Sequence, residues 1–136
     1  MATYNYKPGL GNAASYQVSS RPYLTSSLNV PASGSDPMII SFDFVTRFII
    51  ITNNTPIGAA NIPLRFGMSA NGVKGLDNNN YGILNNGQSF EADFRVTKVF
   101  LLSDDGNQPT ASVIAGLTGI EAINLKDNWS GSAGVG

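Results

Sequence analysis

Short runs in which apolar and polar residues alternate, each closed by a turn, constrain this chain more than any other feature. Phe90, Ala92, Phe94 and Val96 alternate with Glu91, Asp93, Arg95 and Thr97, while Ile40, Phe42 and Phe44 alternate with Ser41 and Asp43. Leu64, Phe66 and Met68 repeat the pattern around Arg65 and Gly67. A period of two sends successive side chains to opposite faces, so these runs predict half-buried strands. The β-branched and aromatic run Val45–Thr52 and the apolar run Val99–Leu102 predict core strands, and a short strand is expected over Tyr81–Leu84. Asn53-Asn54-Thr55-Pro56 ends one strand, and Ser103-Asp104-Asp105-Gly106-Asn107 has strong turn chemistry. Asn71-Gly72 and Asn85-Asn86-Gly87 are expected as turns that use positive φ.

Two regions depart from this pattern. Within Ala111–Ile123 the spacing of Val113, Leu117, Ile120 and Ile123 suits a helix, but Gly116, Thr118 and Gly119 oppose one, so one or two strands are expected. Residues 1–37 hold four of the five tyrosines and four of the seven prolines. Proline fixes its own φ and drives its predecessor away from helix, so an extended arm is expected there, in which Tyr16, Val18 and the residues near Tyr23 can pair as an edge strand. The expected organisation is therefore an arm over 1–37, one β-sandwich domain over 38–129 and a Gly/Ser tail over 130–136. About eight short strands with no convincing helix or repeat point to an all-β, antiparallel β-sandwich. A single jelly roll is the first expectation and an immunoglobulin-like sandwich the second.

Composition limits the chemistry. There is no Cys and no His, which excludes thiolate catalysis, Ser-His-Asp and Cys-His arrangements, and ordinary zinc sites. A net charge of −1 cannot supply the phosphate contacts that dominate nucleic-acid affinity. Residues 1–11 lack the basic start and apolar run of a secretory signal, and no apolar stretch approaches the roughly 20 residues of a membrane helix. Neither nucleic acid nor membrane is an expected partner, and no cofactor is expected. Only 12% of residues are charged, against about 25% in ordinary soluble domains, so Asn, Ser, Thr and Gly must form the polar surface.

Four groups of residues invite a chemical reading. Asp77-Asn78-Asn79-Asn80-Tyr81-Gly82 resembles the start of a calcium loop, but Tyr81 holds the fifth place and Gln88 the twelfth, where a glutamate belongs. An Asn-rich turn is the preferred reading there, and an ordinary β-turn is preferred for Asp104-Asp105-Gly106-Asn107. Glu91 and Asp93 share a strand face at roughly 7 Å between Cα atoms, a spacing compatible with paired acid and base. Arg95 continues that face, and a plain charged strand face is preferred to catalysis. The tyrosines of the arm and Trp129 are flat apolar platforms suited to sugars or to a neighbouring subunit. The low charge favours the subunit, because interface cores are rich in aromatics and depleted of charge.

The lead Ser15-Tyr-Gln-Val-Ser-Ser-Arg-Pro-Tyr-Leu-Thr25, the core block Val45–Asn54, the Asn-Gly turns and Ala111–Ile120 together resemble small jelly-roll minor capsid and capsid-decoration proteins of double-stranded DNA viruses and phages. The resemblance implies a non-enzymatic virion structural protein that works in trimers or clusters, with arms reaching between subunits. Its expected partners are the major capsid protein and copies of itself, with Tyr4, Tyr6, Tyr16, Tyr23 and Trp129 as interface anchors. The competing expectation is a receptor- or glycan-binding module of a viral fibre, spike or tail, using loops 71–80 and 104–109 with Asp77, Asp104 and Tyr81.

Overall fold

Among the described residues the alternating and apolar runs form eight strands in two four-stranded antiparallel sheets that face each other as a β-sandwich. The structure, a computed structural model, describes residues 21–76 and 79–124. In chain order the strands are β1 (Arg21–Asn29), β2 (Met38–Ser41), β3 (Phe44–Asn53), β4 (Leu64–Gly67), β5 (Tyr81–Leu84), β6 (Ser89–Ala92), β7 (Lys98–Ser103) and β8 (Thr110–Glu121). A five-residue helix, α1 (Ala70–Lys74), lies between β4 and β5. The first sheet runs β1-β8-β3-β6 and the second β2-β7-β4-β5.

Each core strand sends alternate side chains inward. Ile49 and Ile51 of β3 lie in register with Ala115 and Val113 of β8, and all four are buried. Ile40, Val99, Leu101 and Leu64 face them from the second sheet. Burying each such side chain is worth on the order of 2 kcal/mol, so the two inner faces hold the sheets together. The run Val99–Leu102 has a second reason to be apolar on both faces. Val99 and Leu101 enter the main core, while Phe100 and Leu102 pack outside the sheet against Val73 of α1, Ala70 and Tyr81. A strand covered on both sides reads as continuous rather than alternating.

Several sequence expectations change at the places where the chain passes between sheets. The alternation through Ile40–Phe44 belongs to two strands, because β2 ends at Ser41 and β3 opens in the other sheet. The buried Phe42 lies between them, its N–H donating to Thr97 O at 2.9 Å. Likewise the alternation over 90–97 stops being strand at Ala92, and the chain crosses to β7. At that crossing the Thr46 hydroxyl lies 2.6 Å from Phe94 O and accepts from Val96 N at 3.1 Å. Asn85-Asn86-Gly87 is a turn with positive φ at Gly87, as expected, but it joins β5 to β6 across the sandwich and makes no hairpin.

Asn71-Gly72 is not a positive-φ turn, and this is the clearest correction. Ser69 caps a short helix by accepting from Gly72 N at 3.0 Å, and Gly75 ends it in the left-handed region with φ 72°. A serine cap and a glycine C-cap are a helix signature that outweighs the Asn-Gly pair between them. Over Ala111–Ile123 one strand, β8, runs to Glu121, followed by a 3₁₀ turn over Ala122–Asn124. Towards the N-terminus, β1 pairs with β8 from Arg21↔Leu117 to Asn29↔Thr110, so the sheet takes in the chain from Arg21. The expected arm before Arg21 and the Gly/Ser tail over 130–136 lie outside the described residues.

Asn53, at the end of β3, is fully buried, and its side chain bonds to both sheets' connections. Its Nδ2 donates to Ile62 O and to Leu84 O, each at 2.9 Å, while Oδ1 accepts from Thr55 N at 3.1 Å. Asn53→Ala leaves buried backbone groups without partners, at about 1–3 kcal/mol each, so urea unfolding should show a loss of about 2–4 kcal/mol. The exposed Asn61→Ala should cost well under half as much; equal losses would contradict the role assigned to burial.

Candidate interaction site

Tyr23 is the one expected anchor among the described residues; Tyr4, Tyr6, Tyr16 and Trp129 lie outside them. It stands on β1 opposite Ala115, half-buried, with its ring edge-on to Phe42 at 4.9 Å between centroids. An inward position on an edge strand commits most of this ring to the chain's own core.

The residues around Arg65 form the most elaborated polar region. β4 projects Arg65 from the outer face of the second sheet, where its Nε donates to Asp104 Oδ1 at 2.7 Å and its Nη1 to Val73 O at 3.0 Å. Its guanidinium also covers the Tyr81 ring, 4.4 Å from the centroid. One side chain thus gathers α1, the start of β5 and the loop after β7. Beside it lies an open depression of about 340 Å³ lined by Ser33, Gly34, Ser35, Arg65, Lys74, Leu76 and Leu102. Sequence reasoning placed loops 71–80 and 104–109 together but missed Arg65, whose signal was a charged residue between two apolar strand positions. The arrangement leaves the Ser33 and Ser35 hydroxyls around the depression, while Arg65, Lys74, Asp104 and the covered face of Tyr81 are already engaged.

The other chemical readings resolve differently. Glu91 and Asp93 are both exposed, and Asp93 follows the end of β6, so the two carboxylates do not share a strand face. Asp105 Oδ1 accepts from Asn107 N at 2.8 Å, the geometry of an Asx turn. Tyr81 and Gly82 belong to β5 rather than to a ligand loop, and Asp77 lies outside the described residues. Phe66 lies against Gly82, where an added Cβ would come within 2.3 Å of the ring, and it stacks on Phe90 at 4.6 Å. Glycine at this strand position therefore serves aromatic packing. Among the described residues no group of three or more Asp or Glu is placed to hold a metal, and no helix is long and apolar enough to cross a membrane.

A second surface was not anticipated from sequence. Asn86 anchors loop 54–63: its Nδ2 donates to Pro56 O at 3.1 Å and Ala60 O at 3.0 Å, and its Oδ1 accepts from Ile62 N at 2.9 Å. Asn61 adds bonds to Asn85 Oδ1 and from Asn86 N. This lattice holds Ile57 against Gly87 and leaves it 81% exposed. Close by, on the outer face of the first sheet, Leu24, Thr25, Ser26, Asn54, Ser112 and Ile114 line an open recess of about 370 Å³. Comparison with known protein families, with characterised proteins and with solved structures finds no match for the chain.

Lys74 reaches back to Asp36 at 2.9 Å, tying α1 to the loop before β2. The hydrogen bond from Lys74, reinforced by its charge, holds the Asp36 carboxyl below its ordinary 3.8. A lowered carboxylate pKa means that the pair contributes at pH above 3.8 and is lost as pH falls through the lower folded value. In Lys74→Met the Asp36 titration, followed by carboxyl NMR, should move upward; an unchanged midpoint would show that the pair does not form.

Proposed function

We propose that this chain is a virion structural protein, a minor capsid or capsid-decoration subunit built as a single jelly roll that binds neighbouring capsid proteins and copies of itself. The observation that carries the reading is the order of pairing. β1 pairs with β8, β2 with β7, β3 with β6 and β4 with β5, every pair antiparallel. This is the nesting of one long hairpin folded at its middle, and β3–β8 and β4–β7 contacts close it into two sheets. Eight-stranded rolls of this kind form viral capsid and lectin domains.

Composition favours the capsid side of that choice. With 12% charged residues, the chain has the charge-poor make-up of a surface that meets other proteins. The strand ends add a geometric reason. Arg21 and Glu121 lie at the same end of the first sheet, so the segments before and after the sandwich leave from one end and are placed to reach one neighbour. The second reading, a receptor- or glycan-binding module, rests on the serine-lined depression beside Arg65.

A truncation that tests the arm has to stop at residue 20. Deleting to residue 30 would also remove β1 and the fully buried Val30, and so would damage the sandwich. The chain lacking residues 1–20 should keep its circular dichroism spectrum and melting midpoint yet fail to join particles in a virion co-purification assay. Normal incorporation would refute the arm's role. Glycan-array binding that Arg65→Ala abolishes, with the truncated chain still incorporated, would select the second reading.

A further inference from the structure

We propose that two copies of this chain pair through the Ile57 loop of each and the Leu24–Ile114 recess of the other. The two surfaces match in chemistry. Ile57 is a large apolar side chain, 81% exposed, on a loop whose backbone is already bonded by Asn86 and Asn61. A knob held in one conformation loses little freedom on docking, which is what distinguishes a binding anchor from an incidental exposed residue. The recess offers Leu24, 70% exposed, and Ile114, 36% exposed, on adjacent strands in direct register.

The outer faces of the two sheets are unequal. The second sheet has α1 packed on Phe100 and Leu102. On the first sheet the apolar row Leu24–Ile114–Ile50 crosses three strands and ends at the exposed Glu91 of β6, with Ser112, Thr52 and Ser89 beside it. Among the described residues no helix packs on this face.

Three arguments select a second copy as the occupant. Knob and recess lie side by side on one chain, Asn54 lining the recess three residues before Ile57, so one twofold operation seats both contacts at once. Neither loop 54–63 nor the recess lining contains a charged residue, and a net charge of −1 gives copies almost no mutual repulsion. Three strands about 4.8 Å apart and seven registered residues deep, with the four registered residues of β6, give roughly 400 Å² of sheet face per copy. With the loop this approaches the roughly 1,000 Å² total of a specific interface.

This pairing deepens the reading as a particle subunit and rests on it for its setting. Self-association is measured on the purified chain and incorporation on particles, so the two fail separately. The knob lies at the Asn53 end of the sandwich, opposite the Arg21 end, and the recess lies midway along β1 and β8. The absence of cysteine permits a direct test with full-length protein. Ile57→Cys and Leu24→Cys chains, mixed under mild oxidation, should form a disulfide-linked heterodimer, whereas Ile57→Cys mixed with Ile83→Cys, from the second sheet, should not. In sedimentation equilibrium the unmodified chain should show twice its 14.3 kDa, and Ile57→Asp, with its melting midpoint retained, should fall to the single-chain mass. An unmodified chain that sediments at the single-chain mass, a mixed pair that cross-links no better than the control, or an Ile57→Asp chain that stays paired would each overturn the proposal.

Discussion

The side-chain amide of Asn53 joins parts of the fold that sequence keeps far apart. It ends β3 in one sheet, yet donates to Leu84 O at the end of β5 in the other and to Ile62 O in the connection to β4. Its backbone is also spent on the crossing from β5 to β6, accepting from Gly87 N at 2.8 Å and donating to Gln88 O at 3.0 Å. A buried amide without partners costs several kcal/mol, so this residue stabilises the sandwich only in the arrangement that satisfies all its groups. Thr46 performs the same task near the other end of β3, where its hydroxyl engages Phe94 and Val96 on the crossing from β6 to β7. Among the described residues no buried side-chain polar atom lacks a partner. The apolar core holds the sheets together, and these two polar groups determine which connections may cross and where.

That requirement follows from the nested pairing. All consecutive strands except β4 and β5 lie in opposite sheets, so almost every connection crosses an end of the sandwich and must satisfy its own backbone there. The Asn53 end shows how: Val30 N donates to Pro109 O, Ser33 N to Asp105 O, Ser103 N to Pro31 O and Asn54 N to Thr110 O, all at 3.0 Å or less. Connections from distant parts of the sequence bond to one another rather than to their own strands. The cost is kinetic, since β1 must find β8 across most of the chain before that edge of the first sheet forms.

The inner faces were legible in the sequence because alternation has one cause, burial on one side. Ile49, Ile51, Val113 and Leu101 are core by that pattern alone. The crossings were not, because alternation persists through them. Phe42 is inward although it belongs to no strand, so periodicity ran straight through the break between β2 and β3. The helix was missed because α1 has five residues, too few to show a 3.6-residue period, and its evidence lay in its caps, Ser69 and Gly75. Arg65 and Asn86 were illegible for a different reason. Each acts through partners 39 and 30 residues distant, Asp104 and Pro56, and only the crossings bring those partners near.

The same nesting gives the sandwich two unlike ends. Folding a chain of eight strands at its middle returns its first and last strands to adjacent places, so Arg21 and Glu121 emerge together while loops 54–63, 85–88 and 104–109 collect at the opposite end. At the Arg21–Glu121 end the crossings from β2 to β3 and from β6 to β7 are held by Phe42 N donating to Thr97 O and by the Thr46 hydroxyl. Loops at the other end are constrained by one another: Asn53 and Asn86 bond loops 54–63 and 85–88 together, and backbone bonds from Val30 to Pro109 and from Asp104 to Pro63 hold loop 104–109. The chain therefore enters and leaves the sandwich at one end and bonds its own distant loops to one another at the other.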